Sequence, residues 1–149
     1  MFREIAVAID GSDHAADALA TAIDLTRRYD AHLTVISIAP VTPALVMANE
    51  PMLPPLLPES NLPRFRALVD AGVAKAESAG LKAVDGVCVE GAPVDELLRH
   101  LREHPVDLLV LGSRGLSTAQ RLLLGSVSTA LVNRAPCPVL VVRPTATKP

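Results

Sequence analysis

Short apolar runs alternate along this chain with longer stretches in which apolar residues return every three or four positions. Residues 5–9 (Ile-Ala-Val-Ala-Ile) read as a buried strand, closed by Asp10-Gly11-Ser12, which supplies turn residues and a helix cap. Ala15, Leu19, Ala22, Ile23 and Thr26 then recur at helical spacing, and Asp13 places negative charge in the first turn. A second strand is expected at 33–38. Phe65, Leu68, Val69, Gly72, Val73 and Ala76 mark a second helix stopped near Gly80, and a strand over 83–89 follows. Val94, Leu97, Leu98 and Leu101 line a third helix that must end near Pro105, because the residue before a proline disfavours helix. A strand at 107–111, a helix over 126–134 and a strand at 139–142 complete the series. This alternation predicts five parallel strands joined by right-handed crossovers, with helices on both faces: a doubly wound, three-layer α/β/α sandwich.

Segment 39–63 breaks the rhythm, with seven prolines among apolar residues. It is far longer than the roughly 2–6 residues usual for a βα connection. It reads as a surface loop with a short helical piece at 44–48, or as a lid or docking surface.

The densest chemistry lies after the fourth strand, at Gly112-Ser113-Arg114-Gly115, followed after nine intervening residues by Gly125-Ser126. Glycines at a strand end let a loop approach a ligand closely, and Ser126 can cap the helix that follows. The unpaired N–H groups and positive dipole end of that helix make an anion site, most simply for phosphate. Neither G-x-x-x-x-G-K-[ST] nor a G-x-G-x-x-G after the first strand occurs, so a Walker-type NTPase and a dinucleotide oxidoreductase are not indicated.

Read as G-x2-G-x9-G-S, the segment resembles the ATP-binding signature of the universal stress protein family. The resemblance spans nearly the whole chain, from the opening strand into Asp10-Gly11-Ser12, through Val127-Ser128, to the closing Pro136-Cys137-Pro138-Val139-Leu140-Val141-Val142. It implies a Rossmann-like sheet of the adenine nucleotide alpha hydrolase type with strand order 3-2-1-4-5, which makes the first and fourth strands neighbours. Ligands of such sheets bind at the carboxyl ends of the strands where the winding reverses. Asp10 and Gly112 should therefore face each other across one crevice.

Composition narrows the partners. With 149 residues the chain suits one domain. Half of the residues are hydrophobic but only 2% aromatic, so the core must be built from Ala, Val, Leu and Ile. A net charge of −2 gives no electrostatic reason to expect nucleic acid or an anionic membrane. The N-terminus enters a strand pattern without a signal-peptide layout, and no apolar run approaches the ~18 residues of a membrane helix. A cytoplasmic protein is expected. Cys88 and Cys137 form no metal spacing and read as reduced core thiols within strands.

The resemblance implies the remaining roles. Gly112, Gly115, Gly125, Ser126, Val127 and Ser128 would cradle the phosphates of ATP, and Ile38 would meet adenine. Asp10 would face ribose or a Mg²⁺ that bridges phosphates, unless it serves only the local turn. Arg114 and Arg121 either reach the outer phosphates or remain solvated. His14 either approaches the phosphates or is an exposed helical residue. His100-Leu101-Arg102-Glu103-His104 fits H-x-x-E-H, but lacks the third ligand of a zinc peptidase and reads as a solvated helix face. The expected function is a small ATP-binding regulatory module in the stress response, dimeric through its last strand. The alternatives are a slow ATPase, a phosphotransferase acting on itself at Ser126, Ser128 or another hydroxyl, or a nucleotide-independent interaction protein.

Overall fold

A computed structural model describes residues 1–41, 60–114 and 124–144. Most of the proline-rich segment, including 44–48, lies outside the described residues, as do Gly115 and Arg121. Nine elements follow one another: β1 (Glu4–Ala8), α1 (Asp13–Tyr29), β2 (His32–Ala39), α2 (Leu62–Ser78), β3 (Val84–Glu90), α3 (Pro93–Glu103), β4 (Leu108–Gly112), α4 (Ser126–Arg134) and β5 (Val139–Val142). The five strands form one sheet in the order β3-β2-β1-β4-β5, every pair parallel. The expected doubly wound α/β sandwich with strand order 3-2-1-4-5 is the fold observed.

Buried on both faces, the central strands need no polar alternation, and β4 is buried along its whole length. The pleat divides its neighbour β1 between two cores. Ile5 and Val7 join Ala18, Leu19, Ala22 and Ile23 of α1 and Ala76 of α2 on one side. Ala6 joins Leu97, Leu98 and Leu101 of α3 and Leu131 of α4 on the other. Five apolar residues of α1 are buried: Ala15, Leu19, Ala22 and Ile23, which its periodicity predicts, and Ala18.

Several boundaries differ from expectation for local reasons. β1 ends at Ala8, although the Ile9 N–H still donates to the Ile36 carbonyl at 2.9 Å. β4 starts one residue late; ahead of it the Asp107 N–H donates to the Glu4 carbonyl at 2.8 Å and its carboxylate accepts the N–H groups of Arg3 and Glu4, at 2.7 and 2.9 Å. Those two bonds hold its carboxyl below the usual range, the Glu4 bond contributing most. β4 also runs one residue further, so Gly112 closes the strand and does not open the loop. Cys88 lies in β3, but Cys137 stands ahead of β5 and not within it. Both thiols are free and half-buried, and burial pushes them up from their ordinary value.

Candidate functional site

Strands β1 and β4 lie side by side with Ala8 opposite Leu111, so the loops leaving them diverge from a common point. A cavity of about 340 Å³ opens there, within the roughly 300–1,000 Å³ of small-molecule sites. Its mouth is lined by Asp10, Gly112 and Arg114 together with Gly125, Ser126, Val127 and Ser128. Its apolar walls come from Ile36, Ile38 and Pro40 at the end of β2, Phe65 of α2, Pro93 and Leu97 of α3, and Leu131 of α4. Asp10, Ile38, Gly112, Arg114, Gly125, Ser126, Val127 and Ser128 all line this one cavity, whereas His14 does not. Gly115 and Arg121 lie outside the described residues.

The first side of the mouth is built by a turn. Gly11, at φ 86°, reverses the chain in a conformation that favours glycine. The Asp10 carboxylate accepts the Ser12 N–H at 3.0 Å, and the Ser12 hydroxyl caps α1 by accepting the Ala15 N–H at 3.2 Å. The same hydroxyl reaches the Arg114 carbonyl at 3.5 Å. From β2, the buried Ser37 hydroxyl donates to the Ile9 carbonyl at 2.7 Å, which ties the end of β1 beside Ile38.

The second side is the start of α4, where the sequence reading needs correction. Gly125 and not Ser126 is the N-cap, no side chain caps the helix, and Ser126 is its first residue. Extended backbone at Gly125 (φ −58°, ψ 156°) turns the chain into the helix, while its N–H donates to the Ser113 carbonyl at 2.8 Å. Ser128 is buried, and its hydroxyl donates to the Gly112 carbonyl at 2.7 Å. That donation is spent on the strand end. Ser128 therefore offers a ligand its backbone N–H more readily than its hydroxyl proton.

Two further residues hold the same strand end. The Ser113 N–H donates to the Val142 carbonyl at 2.9 Å, and the buried Ser113 hydroxyl lies 2.8 Å from Nδ1 of His14. His14 is therefore no simple exposed helical residue, for its half-buried ring ties the start of α1 to the end of β4. Gly112 is required by this contact: a Cβ there would come within 2.8 Å of the His14 backbone. The absent side chain makes room for α1, whatever it also does for a ligand.

Sequence reasoning missed Ser37, Ser113 and the walls at Phe65, Pro93, Leu97 and Leu131. A buried serine inside an apolar strand is a usable signal for Ser37. Phe65 and Leu97 carry none, because core-facing and cavity-facing positions share one periodicity.

A parallel sheet whose winding reverses at a crevice, with a helix start beside it that no side chain caps, defines a doubly wound α/β domain with a site at its topological switch point. The model of the universal stress protein family matches residues 1–143, and the chain belongs to that family. It is 35% identical to universal stress protein YxiE of Bacillus subtilis over 150 residues, covering 96% of this chain and all of that one. Identity is 36% over 146 residues to a universal stress protein of Thermus aquaticus encoded in the QAH/OAS sulfhydrylase 3′ region, with 96% and 100% coverage. Among solved structures, a universal stress protein in complex with cAMP superposes with a TM-score of 0.70 at 28% identity, covering 97% of this chain and 98% of that one. No helix among the described residues is long and apolar enough to cross a membrane.

Proposed function

We propose that the crevice binds ATP and that the chain acts as a small cytoplasmic regulatory module in the stress response. The observation that carries this reading is the convergence of Asp10, Ile38, Gly112, Arg114 and the Gly125–Ser128 turn on one cavity with apolar walls and a polar mouth. A purine would enter the apolar part, between the end of β2 and Phe65. The phosphates would meet the uncapped N–H groups at the start of α4, where the helix dipole favours negative charge. The relative solved with cAMP supports an adenine nucleotide as the ligand class. Asp10 fits Mg²⁺ shared with phosphates, since that ion is commonly held by one or two carboxylates plus phosphate oxygens and water.

Calorimetric titration of ATP with and without Mg²⁺ tests the assignment. Gly125→Val should abolish binding while the circular dichroism spectrum stays native, because a branched side chain would fill the phosphate end. Asp10→Ala should weaken binding less, and chiefly in Mg²⁺. Unchanged affinity in Gly125→Val refutes the phosphate assignment.

We also propose pairing of two copies through β5. This strand is an edge of the sheet, and all four of its residues are only half-buried, a liability unless the edge is covered. Light scattering that finds only monomer at tens of micromolar would overturn it.

A further inference from the structure

We propose that the last turn of α3 is a two-histidine chelate for a divalent transition-metal ion of the Ni²⁺, Cu²⁺ or Zn²⁺ type, with His100 and His104 as its protein ligands. The pair lies outside the crevice, at the opposite end of α3 from Pro93. His104 has left helical geometry (φ −127°, ψ 83°), yet the two rings lie together, with centroids 4.6 Å apart and planes inclined by 35°. Imidazole nitrogens bind such ions at about 2.0–2.1 Å, so two of them sharing an ion must lie within about 4 Å of each other. The structure brings the two rings to this separation, and coordination requires side-chain rotations that turn one nitrogen of each toward a shared ion.

The backbone holds the spacing. His104 is the C-cap of α3, and its N–H donates to the His100 carbonyl at 2.8 Å, so the turn carrying both ligands is closed. A helix C-terminus carries partial negative charge, which favours a cation.

Glu103, the acidic residue of the H-x-x-E-H pattern, is engaged by Arg99 at 3.4 Å. Among the described residues no group of three or more His, Cys, Asp or Glu is poised to hold a metal ion. The protein therefore contributes two ligands, and water completes the coordination. Ions that favour imidazole are selected over Mg²⁺ and Ca²⁺, which demand oxygen.

The test is calorimetric titration of Ni²⁺ into the full-length protein under a non-chelating reductant. One ion per chain is expected, with affinity at least tenfold lower in His100→Gln and in His104→Gln, and no heat from Mg²⁺. His32→Gln should bind Ni²⁺ like the parent protein, since that ring is already held between Glu4 and Asp85 at 2.9 and 2.8 Å. Thermal melting supplies a second readout: Ni²⁺ should raise the midpoint of the parent and leave that of His100→Gln unmoved. Unchanged affinity in either variant of the pair, or loss of binding in His32→Gln, overturns the proposal.

Discussion

Replacing Gly112 by alanine separates two reasons for a glycine at the end of β4. If the position were small only to admit phosphate, Gly112→Ala would weaken nucleotide binding and leave the free protein as stable as before. The structure gives a different answer. The added Cβ would lie 2.8 Å from the carbonyl carbon and oxygen of His14 and 2.9 Å from its Cβ, where ordinary contact begins at 3.4 Å. Two of those three atoms are backbone, so no rotamer change relieves the clash, and the start of α1 must retreat by about 0.6 Å. Overpacking of this kind costs about 1–3 kcal/mol, and a clash with backbone belongs in the upper half of that range. For a chain of this size a loss of about 2–3 kcal/mol lowers the melting midpoint by roughly 4–12 °C. Urea unfolding and thermal melting of the nucleotide-free protein measure it directly. A Gly112→Ala protein within about 0.5 kcal/mol of the parent would refute the packing argument.

Three other outcomes follow from contacts described above. Ser128→Ala leaves the buried Gly112 carbonyl without its donor and should cost about 1–3 kcal/mol in urea unfolding, whereas Ser128→Thr, which keeps the hydroxyl, should lose less. Among the described residues the buried Thr26 hydroxyl has no partner, so Thr26→Val should leave stability unchanged or raise it by about 1 kcal/mol, read from the same curves. The depressed Asp107 carboxyl contributes stability that is complete above its unfolded value near pH 4 and is lost as pH falls through its folded value. Asp107→Asn should therefore be less stable than the parent at neutral pH, with the difference closing in acid; a gap independent of pH would exclude the carboxylate as its source.

Element order was legible because two periodicities dominate this chain. Parallel strands covered on both faces read as unbroken apolar runs such as Leu108 to Leu111, and α1 shows its stripe at Ala15, Leu19, Ala22 and Ile23. The ends were less legible, because neighbouring residues compete for the same backbone groups. Gly125 and Ser126 can each precede a helix, and the choice fell to the residue whose N–H finds the Ser113 carbonyl. Asp107 looked like strand but spends its carboxylate on β1. At the site, Asp10 and the glycine signature could be named because residue type and spacing are local information, whereas Ile38 came only through the family resemblance. The engagement of His14 by Ser113 and the wall at Phe65 could not, since each depends on which distant segments the sheet order brings together.

The pairing of β1 with β4 also has a bearing on biosynthesis. β1 precedes the other four strands and ends at the centre of the sheet, yet the strand on one of its two sides is encoded roughly a hundred residues later. Such a contact must close a long loop before it is rewarded, so it belongs among the late events of folding. A nascent chain truncated before Leu108 has Asp10 and Ile38 but no opposite wall, and cannot hold a ligand between them. Ligand capture in the crevice would thus wait for β4 and the start of α4, and a ligand present during synthesis would act on the β1–β4 pairing without guiding the β1–β2 pairing before it.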